Sequence, residues 1–274
     1  MGVLDSLLKR ARPATAWALS LVDQYPTRQT DKSEVEALLR TLYPVATETP
    51  LIRLGPSGDG GYLVPDDLLG IEACFSPGVD RISGFEKDCA DRGMQVFMAD
   101  RSVERPAEMH DAFHFVRKHV GATSDDDTMT MDRWVEASLP ESKNDLLLQI
   151  DIEGSEYEVF LNASDELMQR FRVIVAECHA LDMLFSGPFF GIASRAFDKI
   201  LKTHVCVHIH PNNCCGSVKV RGVEIPRLAE FTFIRSDRLR GRTFVESFPH
   251  PLDFDNTDQP HMVLPRSLYS SPHR

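Results

Sequence analysis

Two carboxylates follow directly on an apolar run, at Asp151 and Glu153. The run, residues 146–150, is typical of a strand that is buried on both faces of a parallel sheet. Gly154 and a helical pattern come next, and this order places the acids at the carboxyl edge of an open α/β sheet, where such folds bind ligands. Because residues two apart on a strand share a face, both carboxylates can point into one crevice. The alternative, an acidic first helical turn, explains Glu156 and Glu158, and it explains the two acids before Gly154 less well.

Polar pairs with the same spacing end two further predicted strands, Glu177 with His179 and His208 with His210. His179 and His210 are candidate general bases, because imidazole titrates near neutral pH. A structural role is the alternative for any single histidine. Carboxylates and imidazoles also bind divalent metals such as magnesium or manganese. The candidate ligands for such an ion are Asp151, Glu153, Glu177, His179 and His210.

Residues 71–100 have the pattern of a mononucleotide-binding βαβ unit. Its first turn holds one well-placed glycine, Gly78, instead of a full G-x-G-x-x-G fingerprint. Asp100 ends the second strand, about twenty residues beyond Gly78, where a carboxylate hydrogen-bonds ribose hydroxyls. A turn or helix-capping role is the alternative for Asp100. The missing glycines argue against a bound pyrophosphate, so a nucleoside without phosphates, such as S-adenosylmethionine, fits better than NAD.

The surrounding elements would position these residues. From residue 71 to residue 234, strand and helix patterns alternate, which predicts right-handed crossovers and a mostly parallel sheet. Residues 51–65 predict two short strands around a glycine-rich turn, and the charged Asp59 lies among the glycines. Such an excess of glycine favours a backbone that approaches a ligand. After residue 237 we expect a long irregular segment that covers the domain.

The first 45 residues are predicted to form a helical extension, and residues 46–274 a Rossmann-like domain with its core at about 70–237. A capping box at residues 33–36 precedes a helical period of apolar residues, and Pro44 ends the segment. Packing on the sheet is the default role of this extension, with dimerisation or contact with a membrane surface as alternatives.

Composition excludes several classes of protein. The 274 residues carry a formal net charge of −11, which argues against a general nucleic-acid binder. Six cysteines in a chain of this length are no disulfide scaffold, and the vicinal pair Cys214 and Cys215 has no second pair at zinc-site spacing. No apolar run approaches the roughly 20 residues of a membrane span. A reducing cytoplasm is the expected location.

Several of these stretches together resemble the FkbM-type methyltransferases. The resemblance covers roughly residues 50–235 and is carried by the block Asp-Ile-Glu-Gly-Ser-Glu at 151–156, the lead-in at 130–132, the turn at 74–80 and the glycine-rich segment at 58–62. It implies a seven-stranded Rossmann-like sheet with helices on both faces, S-adenosylmethionine as cofactor, and methylation of oxygen, often on sugars or secondary metabolites.

The resemblance also implies roles for individual residues. Ser76, Pro77 and Gly78 would face the methionine part of the cofactor, Asp100 would hold the ribose with Arg101 beside it, and Asp151 would lie near the transferred methyl group. The expected catalytic or metal-binding residues are Glu153, Glu177, His179 and His210. The expected acceptor-binding residues are Asp59, Tyr62, Asn212 and Asn213.

The sequence therefore predicts a cytoplasmic S-adenosylmethionine-dependent O-methyltransferase of a hydroxylated small molecule or a sugar on a glycan precursor. A homodimer is left open, and a nucleic-acid partner is not expected. Two rivals remain. One is an NAD-linked enzyme on the same fold, which a full glycine fingerprint would have favoured. The other is a degenerate methyltransferase fold that acts as a scaffold, which the intact acids at Asp100, Asp151 and Glu153 oppose.

Overall fold

The computed structural model describes residues 17, 21, 26–79 and 81–269. The first part of the predicted helical extension, apart from Trp17 and Leu21, therefore lies outside the described residues, and so does Asp80 of the turn at 74–80. Within the described part of the extension, residues 32–41 form a helix.

A central sheet of seven strands organises the described residues. From one edge to the other, the strands are β5 (Phe113–Val116), β4 (Gln95–Ala99), β3 (Ala73–Pro77), β8 (Leu146–Ile150), β9 (Phe171–Cys178), β13 (Ala229–Arg235) and β10 (His204–Pro211). All neighbours pair in parallel except β13, which is antiparallel to both β9 and β10. The carboxyl ends of β3, β4, β8, β9 and β10 therefore meet at one edge of the sheet.

Short two-stranded pairs and helices complete the part of the chain that the structure describes. The pairs are β1 (Leu51–Leu54) with β2 (Tyr62–Pro65), β6 (His119–Val120) with β7 (Thr128–Met129), and β11 (Ser217–Val220) with β12 (Val223–Pro226). The α-helices are α1 (Lys32–Thr41), α2 (Gly84–Asp91), α3 (Met131–Ser138), α4 (Glu156–Asn162), α5 (Asp165–Arg170) and α6 (Gly187–Leu201). Three 3-10 turns span Leu181–Phe185, Ser236–Arg238 and Arg266–Leu268.

Two apolar clusters cover the two faces of the sheet. On one face, side chains of α1 and α3 to α6 pack against the strands, with Phe160, Phe197 and Phe231 at the centre. On the other face, α2 and the hairpin of β1 and β2 pack through residues such as Phe85 and Leu54. Strands that are apolar on both faces need such double coverage. The predicted α/β class, with helices on both faces of a mostly parallel seven-stranded sheet, is confirmed.

Local differences from the predicted elements have simple causes. The β5 strand ends at Val116, although apolar residues continue beyond it, and residues 119–120 pair with β7 instead. The α6 helix begins at Gly187, and a proline stands in its first turn, where a missing N–H costs nothing. The α1 helix is capped by Asp31, whose N–H donates to Glu34 Oε2 at 3.3 Å, and not by Ser33. No helix among the described residues is long and apolar enough to cross a membrane.

The turn after β3 depends on Gly78. Its φ is +86°, and its N–H donates to the carbonyl of Ala99 at 3.0 Å. A Cβ at this position would fall far inside the van der Waals radius of the Asp151 carbonyl oxygen. Glycine at residue 78 therefore lets the end of β3 approach the end of β8, and this approach forms the floor of the sheet edge.

We predict that Gly78→Ala lowers the free energy of unfolding by roughly 3 kcal/mol or more, because strain at positive φ adds to a clash with backbone. Gly93→Ala is the matched control, since Gly93 has nearly the same φ, +87°, but a Cβ added there would meet no atom within 4 Å. The control is expected to cost only about 1–2 kcal/mol. Equal losses for the two variants in urea unfolding would contradict the role of close approach.

Candidate functional site

A cleft of about 650 Å³ opens at the carboxyl edge of the sheet. The ends of β3, β4 and β8 form its floor, and the glycine-rich turn between β1 and β2 and the segment after β5 form its walls. Of the residues expected at the site, those that line the cleft are Asp59, Tyr62, Gly78, Asp100, Asp151 and Glu153. The cleft is also lined by Glu86, Lys118, Gln149 and residues 119–123, which no sequence motif marks.

Asp100 is fixed at the end of β4 by hydrogen bonds from the backbone. Its Oδ2 accepts the N–H of Val79 at 3.0 Å, and its Oδ1 accepts the N–H and the hydroxyl of Ser102 at 2.7 and 2.6 Å. The carboxylate thereby joins the turn after β3 to the turn after β4. The oriented carboxylate lines the cleft.

Two residues assigned to the cofactor do not face the cleft. The Arg101 side chain turns outward and pairs with Asp127, with Nε 2.9 Å from Oδ1. Ser76 is fully buried, and its hydroxyl lies 2.5 Å from Glu86 Oε1 and 2.7 Å from Gln149 Oε1. Pro77 contributes through its carbonyl, which accepts the N–H of Asp151 at 3.3 Å. The order of residues along the chain gives no sign of these orientations.

A buried polar chain runs from Glu86 to Tyr62 below the cleft. A serine hydroxyl donates one hydrogen bond, so Ser76 Oγ can donate to Gln149 Oε1 only if a protonated Glu86 donates to Ser76. Burial raises the pKa of Glu86 to about 7, which agrees with that order. The Gln149 amide then donates to Tyr62 Oη at 3.3 Å. The chain fixes Tyr62 and Gln149 in the cleft wall.

Carboxyl groups accumulate where β8, β9 and β13 end. Glu230 is the cross-strand neighbour of Glu177. Burial, and then the charge of Glu177, raise the pKa of Asp151, while burial, and then the charge of Glu230, raise the pKa of Glu177. Asn212 Nδ2 donates to Glu177 Oε1 at 2.8 Å, so Asn212 supports the pair from below instead of lining the cleft.

Glu156 links the end of β8 to the end of β9. The residue is fully buried, and its Oε1 accepts the N–H groups of Ile152 and Gly154, both at 3.0 Å, and lies 3.1 Å from His179 Nδ1. Two positive φ angles, +57° at Glu153 and +105° at Gly154, wrap the loop around this carboxylate. Sequence analysis assigned Glu156 only to the helix dipole, because the fold that buries it is not visible in the local pattern.

His179 is presented to the acids of the cleft. With Nδ1 at Glu156, the other ring nitrogen, Nε2, lies 3.3 Å from Glu153 Oε2 and 3.9 Å from Asp151 Oδ1. Burial alone would lower the pKa of His179, but the hydrogen bond and charge of Glu156, with the charges of Asp151 and Glu153, outweigh it and raise the pKa. Among the described residues, Asp151, Glu156 and His179 also form a group that could hold a metal ion.

His210 lies away from this group, under the C-terminal tail. Its Nδ1 is 3.7 Å from Asp253 Oδ1, and Asp253 also pairs with His208 Nε2 at 2.9 Å. Burial alone would lower the pKa of His210, but Asp253 and Glu230 outweigh it and raise the pKa. The structure does not bring His210 to the cleft or to the three-residue group, because the tail occupies the end of β10.

The tail also holds two residues expected to bind the acceptor. Asn213 Nδ2 donates to the carbonyls of Thr257 and Gln259 at 2.9 and 2.8 Å, which leaves Asn213 outside the cleft lining. Asp59 does line the cleft, and its Oδ1 accepts a long hydrogen bond of 3.4 Å from Asn256 Nδ2. The same Asn256 amide donates to Glu230 at 2.6 Å. The tail therefore closes the cleft wall on the β13 side.

Residues 79–202, which span the turn after β3, the acids of the cleft and His179, match the model of the methyltransferase FkbM domain. This stretch, just under half of the chain, is similar to a methyltransferase FkbM domain. The resemblance of the motifs to FkbM-type methyltransferases is thereby confirmed. No curated protein sequence matches the chain at a significant level.

Solved structures of methyltransferases are similar to the chain at low identity and low TM-score. The N-methyltransferase NodS from Bradyrhizobium japonicum WM9 is 10% identical over 61% of this chain and 87% of its own, with a TM-score of 0.33. A putative O-methyltransferase from Klebsiella pneumoniae is 9% identical over 86% and 91%, with a TM-score of 0.34. A putative prophage DNA modification methyltransferase (E. coli) is 9% identical over 61%, with a TM-score of 0.37, and the chain spans 47% of its length. At these TM-scores the likeness carries no argument about substrate.

The buried Glu86 predicts a pH dependence of stability. The pKa of Glu86 is about 7 in the folded protein, above that of an unfolded chain, so the folded state binds the extra proton and loses stability as pH rises to about 7. Glu86→Gln, whose amide can donate to Ser76 permanently, should match the wild type near pH 4.5 and exceed its free energy of unfolding by up to roughly 3 kcal/mol at pH 8. A constant difference across this range in urea unfolding would contradict the buried, protonated Glu86.

Removal of Glu156 should cost more than removal of an exposed acid. We predict that Glu156→Ala lowers the free energy of unfolding by roughly 2–4 kcal/mol, because the N–H groups of Ile152 and Gly154 lose their acceptor in a buried site. Glu156→Gln, which keeps an acceptor oxygen, should cost about half of that or less. Glu166→Ala, an exposed acid in α5, is the control and should change stability by about 0.5 kcal/mol or less. If Glu156→Ala and the control changed the free energy of unfolding equally, Glu156 would not be the residue that stabilises the loop after β8.

Proposed function

We propose that this chain is an S-adenosylmethionine-dependent O-methyltransferase whose acceptor is a hydroxylated small molecule or a sugar of a glycan precursor. The observation that carries the proposal is the convergence of Asp100, Asp151 and the Gly78 turn in one cleft, with His179 held beside its acids. The family implies the cofactor, and the geometry supports a base beside it.

The charge of the cleft fits this cofactor better than a dinucleotide. Its lining carries the acids Asp59, Glu86, Asp100, Asp151, Glu153 and Glu158 against the cation of Lys118. S-adenosylmethionine has a sulfonium and an ammonium group and no phosphate, whereas NAD carries a pyrophosphate that these acids would repel. Glu86, in the first turn of α2, also occupies the place where a pyrophosphate would meet a helix N-terminus. The NAD-linked alternative is therefore disfavoured.

Each part of the cleft would bind one part of the cofactor. Asp100, oriented by Val79 and Ser102, would accept hydrogen bonds from the ribose hydroxyls. Asp151, with its pKa raised by burial, would ionise beside a cationic group and so attract it. When bound, S-adenosylmethionine supplies an activated methyl group.

His179 is the proposed general base. The contact with Glu156 holds Nδ1, so Nε2, which is directed at Glu153 and Asp151, is the nitrogen that would take up a proton when the imidazole is neutral. An acceptor hydroxyl at Nε2 would lose its proton to the imidazole as its oxygen attacks the methyl group. Glu153, which is largely exposed at the mouth, would orient a polar acceptor.

A metal-assisted reaction is the second candidate. The donor atoms of Asp151, Glu156 and His179 lie within 4.8 Å of one another, and Glu156 Oε2 is buried without a hydrogen-bond partner among the described residues. Carboxylate and imidazole donors suit magnesium or manganese, which would lower the pKa of a bound hydroxyl. The proposed residues would be the same, but turnover would require the ion.

Substitution of Asp100 tests whether this residue belongs to the cofactor site. We predict that Asp100→Ala weakens the binding of S-adenosylhomocysteine by roughly 1–3 kcal/mol, because hydrogen bonds to a charged acceptor are lost. Asp198→Ala, an exposed acid on α6, is the control for the loss of one negative charge. Unchanged affinity of a folded Asp100→Ala protein in equilibrium dialysis would remove Asp100 from the site.

Substitution of His179 tests whether this residue is the general base of methyl transfer. We predict that His179→Ala slows methyl transfer from S-adenosylmethionine to a responsive acceptor by about 10²–10⁴-fold, the usual contribution of a general base. Binding of S-adenosylhomocysteine should persist, because the cofactor is held by other residues. Full turnover in the variant would refute the base, and a loss that added manganese restores would favour the metal-assisted route. Retained cofactor binding without transfer to any acceptor by the wild type would favour the scaffold alternative.

A further inference from the structure

The turn between β10 and β11 carries a disulfide between neighbouring residues, Cys214 and Cys215. Both residues are exposed, whereas the other four cysteines are buried and free. The two residues before the pair, Asn212 and Asn213, are each only 4% exposed. The disulfide therefore lies on the surface directly above two buried amides.

This disulfide cannot stabilise the fold in the usual way. A disulfide constrains the unfolded chain by closing a loop, and the effect grows with the length of that loop. A sequence separation of one residue closes essentially no loop. Exposed disulfides are also the labile ones, open to attack by a thiolate. The pair is thus accessible to exchange and contributes little to stability.

One chain of contacts runs from the pair to the cleft. The N–H of Cys214 donates to Asn212 Oδ1 at 2.9 Å, and Asn212 Nδ2 donates to Glu177 Oε1 at 2.8 Å. The charge of Glu177 in turn acts on Asp151, which lines the cleft. The backbone of Cys214 therefore sets which way the Asn212 amide points, and the amide holds the buried acid behind the cleft.

A second set of contacts runs from the pair to the tail. Asn213 Oδ1 accepts the N–H of Thr257 at 2.9 Å, while its amide donates to the carbonyls of Thr257 and Gln259. The next tail residue toward the cleft, Asn256, holds Glu230 and Asp59. The conformation of the turn at 212–216 thus determines two sets of contacts on the same side of the cleft, those of Asn212 with Glu177 and those of Asn213 with the tail.

We propose that Cys214 and Cys215 form a reversible thiol–disulfide modification site. Its redox state controls the hydrogen bond of Asn212 to Glu177 behind the cleft and the hydrogen bonds of Asn213 to the tail. A dithiol reductant transfers two electrons and two protons: one of its thiolates attacks a sulfur of the pair, the bond between the two cysteines breaks, and its second thiol releases the reductant as a disulfide. The products are two cysteine thiols and one oxidised reductant. This site is separate from methyl transfer and does not depend on the proposed function.

The chemistry is tested on the full chain with a vicinal-dithiol probe. After treatment with dithiothreitol and its removal, a trivalent arsenical such as biotinylated phenylarsine oxide should label the wild type at Cys214 and Cys215, and re-oxidation should abolish the labelling. The double variant Cys214→Ser, Cys215→Ser retains all four buried cysteines and should never be labelled. Labelling of the air-oxidised wild type equal to that of the reduced wild type would overturn the disulfide.

The coupling is tested by amide hydrogen exchange in the same three samples. The amides of residues 212–216 and 250–259 should exchange faster in the reduced wild type and in the double variant than in the oxidised wild type. All other amides should exchange at the same rate in the three samples. Where S-adenosylhomocysteine binds, its affinity should differ by about threefold to tenfold between the oxidised and reduced states, the equivalent of one neutral hydrogen bond. Identical exchange in the tail in all three samples would overturn the coupling. Failure to bind S-adenosylhomocysteine in every state would instead count against the proposed function, and the exchange result would still decide this proposal.

Discussion

The site depends on one buried carboxylate. Glu156 begins α4, yet its side chain turns back to hold the loop after β8 and reaches across to His179 at the end of β9. Parallel strands bring their carboxyl ends to one edge, but they do not by themselves fix how the loops point. A single charged acceptor that serves two backbone donors and a ring nitrogen does fix them. The positions of Asp151, Glu153 and the imidazole follow from it.

Several acids lie buried near Glu156, where the charged form of a carboxyl group is unfavourable. Burial raises the pKa of Asp151, Glu177, Glu86 and Glu230, so the free protein holds several of these groups as protonated acids. Such a cleft is poised to ionise when a cation enters, whereas it offers a phosphate the cation of one lysine, Lys118. The missing glycines of the dinucleotide fingerprint and the acidic lining of the cleft point to the same kind of ligand. Both favour a cationic nucleoside over a dinucleotide.

The sequence was sufficient for the fold and for the edge at which the site forms. Alternating buried strands and helices, with Gly78 and Asp100 twenty-two residues apart, located the cleft because these patterns arise from local backbone rules. Side-chain direction was not accessible in this way. Arg101 turns to Asp127, Ser76 turns inward and His210 lies under a tail more than forty residues away in sequence. Each of these outcomes depends on contacts between distant segments, and so does the burial of Glu156.

The most direct test is a calorimetric titration of the full chain with S-adenosylhomocysteine, with and without magnesium or manganese. We expect one site per chain with a dissociation constant on the order of micromolar. Binding that does not need the ion would agree with His179 as the base, and binding strengthened by manganese would agree with the metal-assisted route. No binding under either condition, by protein whose folded state is verified by circular dichroism, would contradict the central claim that the cleft is a cofactor site.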